Sequence, residues 1–350
     1  MEAEIAGTLV GVDVGGTKTQ ICIQTPQFKR DWTLATDSWR QESDTVLKAD
    51  MQALATLIEG KLAACGPALT SGPALTSGRP AAVAICIGLH GGDSSSQLAL
   101  GQQVMDQHFA AGGPVRVVND AELLGPAAGL ASSMALVVGT GMVAVGRRAD
   151  GSFLRADGYG YGWLFGDFGS APALARESVR AILQEAVRAG EDVVMTDPLW
   201  RSFANELDLE AVTDLPLAFG SQASDAAWGK LAPAFFTALE AGSRLARGVL
   251  DQALEHMTQA ITSLLARGAQ GRSVVAAGGV ITHQPIMVRE LADRLAQVNP
   301  QPLQLQVLNQ PPVEGALQLA RRLLAAEEPP NARQGPVPGP ATYTSVQAGA

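Results

Sequence analysis

Between residues 8 and 36 three short apolar stretches, TLVGVDVG, TQICIQ and DWTLAT, are set apart by GTK and by a Pro-containing turn. The pattern predicts a β-meander. The period then changes. Leu47, Met51, Leu54, Ile58 and Leu62 recur at three- and four-residue steps, which predicts a helix over 44–64 with Ser43 or Asp44 as its N-cap. AAVAICIGL (81–89) and VRVV (115–118) read as strands. Near residue 134 the pattern restarts: MALVVGTGMVAVGRR is again strand, Gly-rich turn and returning strand. Helices are predicted at 171–189 and 230–267, a strand ending in paired glycines at VVAAGGV (274–280), and a last helix at 313–326.

Two such openings, each followed by strand and helix material, predict two similar α/β domains facing one another, 1–119 and 120–326. The last helix is placed to pack back on the first. Residues 327–350 are rich in Pro and Gly and short of large apolar side chains, which predicts a disordered tail. The hexapeptide GPALTS occurs twice in tandem before the strand at 81, and reads as a duplication in a tolerant surface loop.

Composition narrows the classes. With 47% apolar and 17% charged residues, the chain can fill a sizeable core. A net charge of −9 argues against a nucleic-acid partner, which wants a basic face. Cys22, Cys65 and Cys86 are odd in number and form no C-x-x-C pair, so neither a disulfide framework nor a structural zinc site is expected, and a reducing cytoplasm fits. No stretch of eighteen apolar residues occurs and MEAEIAG lacks a basic leader, so a soluble, unexported protein without membrane contact is expected.

Five stretches could carry chemistry. GVDVGGTKT resembles a Walker A loop but has adjacent glycines and the wrong spacing. Asp13 in its apolar run needs a reason, because a buried carboxylate is costly unless paired or metal-bound. Gly15 and Gly16 allow close backbone approach and an anion-binding concavity, Thr17 and Lys18 add donors, and Asp13 can hold Mg²⁺ through water. An ordinary hairpin is the competing account. Gly139-Thr140-Gly141 is a second such turn, and two of them could clamp a triphosphate. In VVNDA, Asp120 beside Asn119 reads equally as a general base or as the cap of a helix starting at Ala121. DGYGYGWLFGDFGS is an elaborate loop before a helix, with Gly162 and Asp167 within it; its aromatics stack on a sugar or simply pack. Gly278 and Gly279 either admit a flat base or end the strand tightly.

In this order, GVDVGGTKT, VVNDA, VVGTG, GYGWLFGDFGS, VVAAGGV and PVEGAL resemble the sugar kinases of the actin/hexokinase/Hsp70 superfamily, and within it the N-acetylglucosamine kinase-like, BadF/BadG-type ATPases. The resemblance covers roughly residues 8–326. It implies two ribonuclease H-like (actin-like ATPase) domains around a central cleft, with ATP and Mg²⁺ as cofactors and an amino sugar as substrate, most simply phosphorylated on the 6-hydroxyl of N-acetylglucosamine. It implies Asp13 as the metal-associated carboxylate and Gly15, Gly16, Thr17 and Lys18 as the first phosphate loop. Gly139, Thr140 and Gly141 become the second loop, with Gly278 and Gly279 at the adenosine and Asp120 as the base. Asp37 and Trp39 of TDSW, His90 and Gly91 of LHGGD, Asn119, Gly162 and Asp167 would line the sugar site. A homodimer is expected.

Five residues at four places depart from the pattern: His90 for Ser, Met142-Val143 for Ser-Asn, Phe168 for Glu and Asp37 for Asn. An acidic Asp37 would favour a free amine over an acetamide. Other readings are a glucosamine or other hexose kinase, including a ROK-type glucokinase. That type carries a Cys-rich zinc loop and a His-containing motif not seen here. An iron–sulfur ATPase activator and a non-catalytic sugar sensor are the remaining readings.

Overall fold

The computed structural model describes residues 7–41, 46–66, 83–109, 113–158 and 162–327. The tandem hexapeptides beyond Gly66, the N-cap candidates Ser43 and Asp44, and the tail after Glu327 lie outside the described residues.

The opening meander forms as predicted: β1 (Thr8–Val14), β2 (Lys18–Gln24) and β3 (Lys29–Ala35). β1 pairs antiparallel with β2 and parallel with β4 (Val83–Leu89), which pairs parallel with β5 (Val115–Asn119). The order is β3-β2-β1-β4-β5. β1 and β4 lie inside this sheet and read as near-continuous apolar runs, whereas the edge strand β3 alternates. The second sheet contains β6 (Met134–Val138), β7 (Met142–Arg147), β8 (Phe153–Asp157), β9 (Ser273–Ala277) and β10 (Gln304–Val307), in the order β10-β9-β6-β7-β8. Taken from its other edge it repeats the first: an antiparallel meander whose first strand continues into two parallel ones.

The helices follow the periodicity where the apolar stripe is unbroken, as in Ala171–Ala189 and Val313–Glu327. The first helix starts at Lys48 rather than 44, with Leu47 extended ahead of it and no side-chain cap. The span 230–267 is two helices, Ala232–Glu240 and Arg244–Ala266. Gly242 at φ +81° ends the first, and the Ser243 hydroxyl caps the second by accepting from the Ala246 amide. Helix Ser95–His108 is not predicted by the pattern, because Gly101 interrupts its apolar stripe. That glycine admits Val117 and Met51 into close packing.

Two large cores sit against the sheets, one per half of the molecule. Helix Val313–Glu327 leaves the second half in sequence and packs on the first sheet, where Ala316, Leu317 and Ala320 meet Leu9, Cys22 and Cys86. Cys22, Cys65 and Cys86 are all buried and free. Among the described residues no helix is long and apolar enough to cross a membrane.

Candidate active site

Asp13 sits near the end of β1, opposite Gln20 and Gly88. The turn after it closes through the Gly15 amide on the Lys18 carbonyl at 2.9 Å. Thr36 clamps that turn from the side: its amide donates to the Thr17 carbonyl and its hydroxyl to the Gly15 carbonyl at 2.8 Å. Asp37 is thereby held beside the turn with its side chain exposed. Trp39 Nε1 donates to Thr19 Oγ1 at 3.1 Å, so its polar edge is engaged within the first sheet.

The His90 amide donates to the Val14 carbonyl at 2.8 Å, and the chain turns away through Gly91 at φ +75°. The His90 ring bridges two predicted features. Its Nδ1 lies 3.4 Å from Asp120 Oδ2, and its Nε2 would lie 3.4 Å from a methyl group on Gly16. Asn119 ends β5 and caps the following turn: its Oδ1 accepts from the Ala121 amide at 3.0 Å, and Glu122 returns to accept from the Asn119 amide. Asp120 Oδ1 accepts from the same Ala121 amide, while Oδ2 faces His90. The turn starts at Asp120 itself with Asn119 as its cap, so the expected cap role falls to Asn119 and not to Asp120.

Electrostatics tie these groups together. Burial, reinforced by the negative charge of Asp120, pushes the Asp13 carboxyl up to about 7, against the pull of Lys18 and His90. The hydrogen bond to Asp120 raises His90 above its ordinary value. Asp93, in the same turn as His90, is raised by burial and by Asp120, with Arg155 opposing. Its Oδ1 accepts from Asn119 Nδ2 at 3.2 Å. Among the described residues no group of three or more His, Cys, Asp or Glu side chains is arranged to hold a metal ion. Mg²⁺ needs no such cluster, since one or two carboxylates hold it together with substrate phosphates and water. Asp13 is a half-buried carboxylate that could take that part.

The second half presents the other turns. The Gly139 carbonyl accepts from the Ala171 amide at 2.8 Å, fastening the GTG turn to the start of helix Ala171–Ala189 and leaving Thr140 exposed at its tip. A methyl on Gly139 would lie 3.4 Å from the Gly279 amide nitrogen, so the GTG and Gly278-Gly279 turns adjoin. Met142 is buried in the core and only Val143 of that pair is partly accessible. Gly162 opens the short helix Gly162–Phe165.

Asp167 is buried at φ +52°, with Oδ2 against Gly141 and Oδ1 without a hydrogen-bond partner. Burial and the charge of Asp157 push it up to about 6. Asp157 Oδ2 lies 2.6 Å from His256 Nε2. Burial pushes Asp157 up, but that contact and backbone amides hold it below its ordinary value. Phe168 packs between the His256 ring, 4.7 Å away, and the Arg176 guanidinium, 5.3 Å away.

The structure thus gathers Asp13, Gly15, Gly16, His90, Asn119 and Asp120 on the first sheet. It gathers Gly139, Gly141, Asp167, Gly278 and Gly279 on the second. Contacts between the two sheets near the site include Arg155 on Asp93 at 3.7 Å and Phe153, which packs on cores of both, while the Glu122–Arg147 ion pair ties the turn after β5 to β7. Asp93, Arg155, Asp157 and His256 were not marked in the sequence. Asp93 lies inside the LHGGD stretch and was within reach, whereas Asp157 and His256 are 99 residues apart and leave no local signal.

Comparison with known proteins agrees with this architecture. No protein-family model matches the chain. An N-acetylmuramic acid/N-acetylglucosamine kinase of Clostridium acetobutylicum is 26% identical over 189 residues, which are 53% of this chain and 57% of that one. A Chromobacterium violaceum structure, described provisionally as an N-acetylglucosamine kinase, superposes with a TM-score of 0.55 at 22% identity, over 90% of this chain and 99% of that one. The MamK double helical filament superposes at 0.52 with 14% identity, over 92% and 99%. The fold is the two-half α/β fold shared by actin-like filament proteins and sugar kinases, and the resemblance read from the motifs is borne out.

Proposed function

We propose that this chain is an ATP-dependent amino-sugar kinase, which transfers the γ-phosphoryl group of ATP to a sugar hydroxyl, with the 6-hydroxyl of N-acetylglucosamine as the first acceptor to test. The observation that carries the reading is the meeting of Asp13, Asp120 and the Gly15–Lys18 turn at the ends of neighbouring strands, while the second sheet offers the adjoining GTG and Gly278-Gly279 turns. Phosphoryl transfer needs positioning, charge neutralisation and an in-line nucleophile more than covalent help. The backbone amides of the two turns cradle phosphates. Mg²⁺, when bound, offsets phosphate charge, and Asp13 is the carboxylate that would hold it, with Asp120 adding charge from the far side of His90. Asp120 Oδ2 orients the acceptor hydroxyl and takes its proton. His90 holds that oxygen until the acceptor displaces or shares the contact.

Release of ADP from Mg·ATP over a panel of N-acetylglucosamine, glucosamine, N-acetylmannosamine, N-acetylmuramate and glucose tests the reading. Turnover dependent on an amino sugar is expected. A preference for glucosamine would assign Asp37 to an ammonium group, and a preference for N-acetylglucosamine would remove that assignment. ATP binding without turnover on any sugar would replace the kinase by a sensor.

A further inference from the structure

A cavity of about 470 Å³ runs from Arg116 at the start of β5 past Val118 to Ala121 and Glu122, and along the ends of β6 and β7 remote from the GTG turn. Both sheets and helix Val313–Glu327 line it: Arg116 from β5, Glu122, Ser133, Arg147 and Arg148, and Arg322. Glu122 is the acid among its lining residues, and Arg147 engages it through both carboxylate oxygens. Arg148 donates to the Arg267 carbonyl and the Ser152 hydroxyl, and Arg322 to the Leu130 carbonyl. These acceptors are neutral, so they orient the guanidinium groups without cancelling their charge; the exposed Asp150 faces Arg148 from outside. Arg116 makes no hydrogen bond or ion pair among the described residues. In a chain of net charge −9, four arginines and one acid line this concavity.

We propose that this rear cavity is a binding site for a small phosphate-bearing anion, separate from the cleft and independent of the kinase reading. Planar guanidinium forks match phosphate oxygens, and three of them with a serine hydroxyl suit a dianion better than a monocarboxylate. The site also touches the cleft's support. Glu122, which shares Arg147 with the cavity, accepts from the Asn119 amide at 3.0 Å, one residue from Asp120. An occupant that draws Arg147 to itself acts on the turn that carries Asp120.

Equilibrium dialysis of the full chain against labelled orthophosphate, and separately against a hexose 6-phosphate, tests the site. Saturable binding is expected at roughly 0.1–1 mM, weakened at least about tenfold in Arg116→Ala/Arg322→Ala and within about twofold of wild type in the cleft variant Lys18→Ala. Arg322→Glu, on an exposed helix position, leaves the core untouched and is expected to show the same loss. Tighter binding of the ester than of orthophosphate assigns a phosphorylated metabolite, and equal binding assigns free phosphate. Uptake that is lost in Lys18→Ala but kept in the arginine variants, or no saturable uptake, overturns the proposal.

Discussion

The His90 ring touches both the Asp120 carboxylate and the space above Gly16. Its hydrogen bond to the Asp120 carboxylate raises its pKa, so the imidazolium persists above the usual histidine range. The pair is complete at low pH and is lost as pH rises through the raised value. If Asp120 must accept a hydroxyl proton, kcat/KM climbs across that same window. His90→Ser is expected to move the acid limb of the profile to lower pH, measured over about pH 5.5–9. Asp167 makes an opposite demand on stability. Its pKa rises from 3.8 to about 6 on folding, so between those values the folded chain holds a proton that the unfolded chain has lost. Stability therefore falls as pH rises toward 6, and the full penalty applies above it. Asp167→Asn keeps the shape, tolerates φ +52°, and should raise the Tm by about 2–5 °C at pH 7.5, with the gain shrinking toward pH 4. Thermal melts at both pH values check this. Asp13 and Asp120 were legible as candidates because a carboxylate in an apolar run or at a strand end is conspicuous. His256 was not, since its partner Asp157 comes from a distant strand.

At the scale of elements, helix Val313–Glu327 supports the turn that follows β5. A methyl on Gly315 would lie 2.0 Å from the Leu123 carbonyl, which ends the turn begun by Asp120. Gly315→Ala forces helix and turn apart. It should destabilise by about 1–3 kcal/mol and lower kcat while ATP affinity stays near wild type, as read by melts and by nucleotide titration. The strands were legible because parallel central strands are buried on both faces and read as apolar runs bounded by glycine. The short helices between residues 191 and 229 were not, because no stripe is sustained over more than a turn or two before a Pro, Asp or Gly cap intervenes. At Asn119 the capping box has its sequence sign in Glu122, three residues on, but neighbouring Asp120 is the more conspicuous strand-end carboxylate.

For the whole molecule, two sheets of one plan face each other and few polar contacts join them near the site. Arg155 on Asp93, at 3.7 Å and partly exposed, is the contact nearest His90. Such a pair is worth less than about 1 kcal/mol, and Arg155 also donates to the Gly158 carbonyl at 2.6 Å, so Arg155→Ala should lower the Tm by about 1–4 °C. Its expected effect is on closure: a sugar KM changed by about two- to tenfold with kcat less affected, checked by steady-state kinetics. The doubled plan could be read from the repeated strand-turn-strand openings. The way the halves meet could not, because Arg147, Arg155 and Phe153 sit in one strand pair and find partners fixed only by the docking. The division at 119/120 remains our proposal, since helix Val313–Glu327 belongs to one half in sequence and to the other in packing. The central claim is that Asp120 activates the acceptor between the two phosphate turns. Its most direct test is kcat for Asp120→Asn with the best sugar of the panel, measured beside the Kd for ATP. The account predicts a fall in kcat of about 10²–10⁴-fold with the Kd within about threefold of wild type. An unchanged kcat would contradict it.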